Sequence, residues 1–158
     1  MLYFAYGSNM DSRQMRRRCP SSRFLCRALL PGHRVDFPRR SPRRRCGVAG
    51  IVPDPSRGVW GVVYRIAAAR DIATLDRAEG FKWGRKRANG YTRGWRTVYA
   101  DGKSDRPLAV ETYIAVPSRF VPPPNEAYID HMLRGASHWK LPPAYTSWLR
   151  SLRDEITR

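Results

Sequence analysis

The chain has 158 residues, close to the roughly 150 residues of an average domain, so one domain over residues 1–158 is expected. Its hydrophobic fraction of 42% and aromatic fraction of 11% exclude a disordered or fibrous polypeptide. Lysine and arginine outnumber aspartate and glutamate by 30 to 13, and the formal charge of +17 points first to a nucleic acid or another anionic partner.

Leu2 to Tyr6 is apolar and aromatic without alternation, as a short strand buried on both faces would be. Gly7-Ser8-Asn9 interrupts it, and Asp11 or Ser12 is placed to cap a short helix through Met15 to Arg18 that Pro20 ends. Phe24 to Leu30 and His33 to Phe37 read as two strands of a hairpin turning at Pro31-Gly32. Pro38 to Arg45 reads as a loop with five arginines, and the first 57 residues hold 13 Arg against three Asp, a net +10 of the total. Gly47 to Pro53 and Val59 to Ile66 form two more strands, the second nearly continuous in apolar residues and therefore central.

Ala67 to Ala78 follows as a helix with Ile72, Leu75 and Ala78 on one face. It stops at Glu79-Gly80, where glycine takes the left-handed conformation past a helix end. Phe81 to Arg93 is a Gly-, Lys- and Arg-rich loop. Trp95, Thr97 and Tyr99 then alternate with Arg96, Val98 and Ala100 as a strand that turns at Asp101-Gly102 and returns over Leu108 to Val116. Helices are expected near Asn125 to Gly135 and from Pro142-Pro143 through Ile156; Trp139, Tyr145, Trp148, Leu149 and Leu152 give the last one an apolar face for packing over the sheet. The sum is an α+β chain of about six or seven strands and four helices. Short strands joined by turns favour a mixed or antiparallel sheet closed into a small barrel with helices at its margins.

Two segments carry chemistry. Successive N–H groups around Gly7, at the mouth of a helix, form a concavity for a carboxylate, a phosphate or a developing oxyanion; the alternative is a plain strand-to-helix turn that needs glycine for its dihedrals. Glu79 is either a solvated surface acid or a functional one, and a carboxylate at a helix C-terminus stands against the dipole. Cys19, Cys26 and Cys46 are too few, and odd in number, for a disulfide scaffold, and with three histidines they form no short ligand cluster. No metal is expected, the thiols suit a reducing compartment, and His131 and His138 read as solvent-facing or capping side chains. The apolar opening Met1 to Ala5 is too short for a signal peptide and no uncharged apolar run reaches about 18 residues, so a soluble cytoplasmic protein is expected.

Together the two segments resemble the γ-glutamylcyclotransferase family. The resemblance rests on Tyr3-Phe4-Ala5-Tyr6-Gly7-Ser8-Asn9-Met10, Val59-Trp60-Gly61-Val62-Val63-Tyr64, Leu75-Asp76-Arg77-Ala78-Glu79-Gly80, Gly135-Ala136 and Leu141-Pro142-Pro143-Ala144-Tyr145, in order along the chain. It implies a small closed β-barrel flanked by helices that acts without a cofactor on a small γ-glutamyl compound. The substrate's α-amine attacks its own γ-carbonyl, releasing 5-oxoproline and a free amino acid or amine, so no Ser or Cys nucleophile is needed. The resemblance makes Glu79 the general acid/base, with a pKa lifted by burial in the barrel mouth. It makes Tyr6, Gly7, Ser8 and Asn9 the substrate-binding loop, and it places Tyr113 near the substrate and Tyr3 along the same pocket. As side chains alone, both tyrosines read equally well as aromatics filling a barrel.

The segment from Phe81 to Gly94 is longer than in many relatives and strongly cationic. Lying next to Glu79, it suggests a leaving group that carries a carboxylate over a cationic amine. Two other functions fit the same fold. One is a nucleic-acid-binding module that sets Arg39, Arg40, Arg43, Arg44 and Arg45 on phosphates, the alternative for those residues being a solvated face. The other is a non-catalytic binder of γ-glutamyl metabolites.

Overall fold

A computed structural model describes residues 1–85 and 89–158. The apolar run from Val59 to Tyr64 lies where its composition demands, inside a sheet flanked on both sides. Strands β1 (Leu2–Ala5), β2 (Arg23–Ser41), β3 (Cys46–Arg65), β4 (Tyr91–Ala100) and β5 (Pro107–Ala115) close into a barrel in the order β1-β3-β2-β4-β5. Every pairing is antiparallel except β1 with β5, so the barrel is mixed. Helices α1 (Ser12–Arg18), α2 (Ala69–Ala78), α3 (Glu126–His138) and α4 (Pro143–Thr157) flank it.

The barrel and its four helices match expectation, but the strands number five among the described residues. The expected hairpin at Pro31-Gly32 is not there: β2 runs through that pair and β3 runs through Pro53 to Gly58, so four anticipated strands are two long ones. Pro31 pairs with Gly58 and His33 with Pro53, which leaves Gly32 facing residues 54–57. Gly32, with φ +69°, bends the ribbon without reversing it. The chain reverses instead at residues 42–45, within the arginine loop, where Arg45 has φ +54°. A Pro-Gly pair sets local dihedrals; which strand lies alongside is decided by tertiary pairing.

β4 also begins earlier than the alternation at Trp95 suggested. Tyr91, Thr92, Arg93 and Gly94 pair with Ala115, Ile114, Tyr113 and Thr112. The joins that close the barrel are narrow: Ala28 and Leu29 of β2 pair with Ala100 and Tyr99 of β4, and Tyr3 of β1 pairs with Glu111 of β5.

Phe4, Val59, Val62, Val63, Val98 and Val110 are fully buried in the barrel, and Leu75, Ile129, Met132 and Leu149 bring the helices onto it. Each such side chain contributes about 1.5–3 kcal/mol by leaving water. Tyr145, Trp148 and Leu152 pack partly buried against the same core from α4, as their spacing implied, whereas Trp139, expected on the same helix, reaches it from the end of α3. Asp11 is the residue that caps α1, accepting the Arg13 N–H at 3.0 Å, while His131 and Arg134 of α3 hold its other oxygen at 2.7 and 3.1 Å. His131 therefore ties α3 to the start of α1. All three cysteines are free, and burial pushes the Cys19 thiol up to about 12. Among the described residues, no helix is long and apolar enough to cross a membrane and no cluster of His, Cys, Asp and Glu is arranged to hold a metal ion.

Candidate active site

The end of α2 aims Glu79 into a cavity. Phe81 N–H donates to the Asp76 carbonyl (2.8 Å) and Gly80 N–H to the Arg77 carbonyl (3.1 Å), with Gly80 at φ +64°. These two bonds close a Schellman turn, in which glycine accepts the left-handed conformation at little cost. The turn makes Glu79 the C-terminal cap of the helix, one residue past Ala78, and directs its side chain inward, where it is only 15% exposed. Burial lifts the Glu79 carboxyl above its ordinary range; Arg18, the Asn9 hydrogen bond and Arg44 pull it part of the way back.

Asn9 organises the acid. Its Nδ2 donates to Glu79 Oε1 and to the Tyr3 hydroxyl, both at 3.0 Å. Its Oδ1 accepts from Arg18 Nη1 (2.8 Å) and Gln14 Nε2 (2.9 Å). Arg18 has only donors, so the carbonyl of Asn9 must face it and the NH₂ must face the carboxylate. Gln14 is fixed in turn: its Nε2 also reaches Ser8 Oγ (2.8 Å) and its Oε1 accepts from Arg44 Nη2 (2.8 Å). Both Asn9 and Arg18 engage Oε1 of Glu79, the latter at 3.7 Å, which leaves Oε2 to the cavity.

The β4–β5 ribbon supports α2 from the other side. The Tyr113 hydroxyl donates to Asp76 Oδ1 at 2.6 Å, and Arg93 joins Asp76 (3.0 Å) to Glu111 (2.7 Å). Asp76 lies one helical turn before Glu79, so this clamp sets the height of the helix end above the barrel.

The cavity has a volume of about 460 Å³, within the usual range for small-molecule sites. Glu79, Tyr3, Tyr6, Gly7, Ser8, Asn9 and Tyr113, all singled out from the sequence, line it together. Their parts differ. The Tyr6 hydroxyl is spent on the Tyr113 carbonyl, so only its ring faces the cavity's contents. Gly7 has φ −111°, outside the left-handed region, and what glycine supplies is room: a Cβ there would stand 2.9 Å from the Tyr128 hydroxyl. Ser8 to Asn9 begin a single 3-10 turn, closed by Met10 N–H to the Gly7 carbonyl (3.1 Å), whose leading N–H groups have no partner within the turn. Burial holds the hydroxyls of Tyr3 and Tyr6 well above the ordinary range, so both stay neutral.

The source of positive charge is corrected. Of the described residues between Phe81 and Gly94, only Gly90 and Tyr91 line the cavity, and Arg93 is committed to Asp76 and Glu111. Lys86, Arg87 and Ala88 lie outside the described residues. Among the described residues, the cations at the cavity are Arg18 of α1, Arg77 of α2, and Arg39, Arg40, Arg43 and Arg44 from the end of the β2–β3 ribbon, against one acid, Glu79. Gln14, Arg18, Asp76 and Tyr128 were not foreseen as site residues. The one available signal was Gln14 beside Met15 on the inner face of a short, Arg-rich helix, a polar side chain where the packing pattern asks for an apolar one.

The family model for gamma-glutamyl cyclotransferase, AIG2-like proteins matches residues 3–136. The gamma-glutamylcyclotransferase of Mus musculus is 41% identical over 87 residues, covering 52% of this chain and 46% of the mouse protein, and that of Homo sapiens is 38% identical over the same length. The chain thus spans about half the length of the curated relatives it matches. A solved structure of a gamma-glutamyl cyclotransferase is similar over 95% of this chain and 86% of that one, with 30% identity and a TM-score of 0.81.

Proposed function

The chain belongs to the gamma-glutamyl cyclotransferase, AIG2-like family, and from that membership we propose that it cyclises a γ-glutamyl amino acid or amine to 5-oxoproline and releases the free amino acid or amine. Residues 1–158 act as one unit in this reading. The observation that carries it is the Glu79 carboxylate, buried in the cavity, oriented by Asn9 and raised in pKa. A carboxylate poised closer to neutrality is a better proton shuttle than an ordinary one.

Glu79 takes a proton from the substrate's α-ammonium through Oε2. The freed amine attacks the γ-carbonyl carbon, a new C–N bond closes a five-membered ring, and the carbonyl oxygen becomes an oxyanion. N–H groups at the head of the Ser8–Met10 turn stabilise that charge, a contribution of about 3–4 kcal/mol per donor in comparable sites. Collapse breaks the bond to the leaving nitrogen, which receives the proton from Glu79 and departs as an amine, while the ring nitrogen passes its remaining extra proton to the freed Glu79 carboxylate and so to solvent, leaving the neutral lactam. Tyr3 and Tyr113, one bonded to Asn9 and the other to Asp76, shape the wall against which the glutamyl chain folds. Attack is intramolecular, so the protein supplies conformation and proton transfer with no nucleophile and no cofactor. Free thiols at Cys19, Cys26 and Cys46 suit a cytoplasmic setting.

The test is release of 5-oxoproline from a panel of γ-glutamyl amino acids, γ-glutamyl amines and glutathione. Turnover by the parent and a loss of about 10²–10⁴-fold in Glu79→Gln are expected. A folded protein that releases none from any member overturns the proposal.

A further inference from the structure

We infer that the end of the β2–β3 ribbon is an anion subsite that selects substrates whose leaving portion carries an additional negative group, carboxylate or phosphate. The inference rests on the cyclotransferase reading and extends it to the class of acceptor released. Among the described residues, Arg39, Arg40, Arg43, Arg44 and Arg77 line the cavity without a carboxylate within salt-bridge distance, and Arg18 meets only Glu79. Several of the chain's acids are engaged elsewhere: Asp54 with Arg34 and Arg57, Asp101 with Arg27 and Arg106, Asp130 with Arg153.

Arg39 and Arg44 are held in place by neutral partners. Arg39 Nη1 donates to the Val116 carbonyl (2.9 Å) and Arg44 Nη2 to Gln14 Oε1 (2.8 Å), which satisfies N–H groups and leaves the charge uncompensated. The ribbon end is itself anchored, with Arg40 N–H on Ser118 Oγ (3.1 Å), Arg44 N–H on Ser41 Oγ (3.2 Å) and Asn125 Nδ2 on the Arg44 carbonyl (3.2 Å). The guanidinium groups of Arg39 and Arg44, pre-set in this way, lose little freedom on meeting an oxyanion, and those of Arg40 and Arg43 ride on an anchored backbone; all can bind it bidentately. Arg40 and Arg43 are exposed, which puts them at the open rim, while Arg44 lies deeper, with Ser8 Oγ 3.5 Å away. The rim faces the part of the substrate farthest from the ring-closing atoms. An ordinary γ-glutamyl amino acid brings one carboxylate on each side of the scissile bond; the unpaired guanidinium groups exceed what those two require.

The experiment compares γ-glutamyl-glutamate with γ-glutamyl-glutamine, isosteres that differ in one charge, and γ-glutamyl-phosphoserine with γ-glutamyl-serine. At low ionic strength kcat/KM for the charged member of a pair exceeds its neutral partner by at least about 10-fold, or about 1.4 kcal/mol. The ratio shrinks at high ionic strength, and Arg40→Gln/Arg43→Gln brings it within about 2-fold. The pair with the larger ratio identifies carboxylate or phosphate as the preferred group. Ratios near one in the parent, or a high ratio untouched by the double substitution, overturn the inference while leaving the cyclotransferase reading intact. Absence of 5-oxoproline from every compound overturns that reading instead; the same ratio is then read from dissociation constants with the Glu79→Gln protein, where equal affinities overturn the inference.

Discussion

At Asn9 all four hydrogen-bonding positions of one amide are taken by Tyr3, Glu79, Gln14 and Arg18, whereas across the same cavity Arg40 and Arg43 have no acidic partner among the described residues. The first side is completed by the chain itself. Its polar groups fix one another, and the result is a carboxylate in a single orientation with a shifted pKa. The second side is left open, with charge that only a ligand can neutralise. Substitutions on the first side should cost rate and stability; substitutions on the second should change which substrate is taken.

The sharpest break is Glu79→Gln, expected to lower kcat by about 10³-fold, or roughly 4 kcal/mol of barrier. It also has a stability signature. Burial raises Glu79 in the folded state, so its stabilising contribution is complete below the ordinary carboxylate range and is lost as pH rises through the raised value. Glutamine has no such loss, so the Tm of the variant gains on the parent across that window. A Tm difference that is flat with pH would place the carboxylate in water.

Next comes Arg93→Met, which strands Asp76 and Glu111 and is expected to cost roughly 3 kcal/mol in denaturant unfolding. Because Asp76 lies one turn before Glu79, kcat should fall together with stability. Arg18→Gln is milder. Arg18 is the strongest influence pulling the Glu79 pKa down, so its removal moves the acidic limb of the pH–rate profile to higher pH and spares the plateau. A limb displaced to lower pH would show that Arg18 does not act on this carboxylate. The smallest effect on folding belongs to Arg40→Gln/Arg43→Gln, within about 0.5 kcal/mol in the same unfolding assay.

The same division governs what could be read from the chain. The inward-facing acid and the glycine loop were legible because each is a local pattern: Glu79-Gly80 at the end of an amphipathic helix, Tyr6-Gly7-Ser8-Asn9 between a strand and a helix. The helices α3 and α4 were legible, the first near Asn125 to Gly135 and the second through Pro142-Pro143 and its apolar spacing. What closes around them was not. Arg44 and Asp76 meet Gln14, Arg93 and Tyr113 only through the tertiary fold, and nothing near either of them in sequence records the distant partner. The long β2–β3 ribbon was hidden for a related reason. Pro31-Gly32 has the composition of a reversal, and the bend it makes is a bulge because β3, not its own neighbour, lies alongside. Reading the reversal at the wrong place left the arginines on a loop of unknown direction, when their position at the tip of a ribbon is what brings them to the cavity.

The two narrow joins of the barrel have a consequence for motion. β4 and β5 are paired to each other from Tyr91 to Tyr99, yet they meet the remaining strands at Ala28 and Leu29 on one side and at Tyr3 on the other. Such a ribbon can detach as a unit before the central strands do. In hydrogen–deuterium exchange, the amides of Thr92 to Val98 should therefore exchange sooner than those of Val59 to Tyr64. Because Tyr91 and Tyr113 face the cavity from this ribbon, an occupant would bridge ribbon and barrel and slow that exchange. The breathing of one hairpin then becomes a gauge of occupancy that works without turnover.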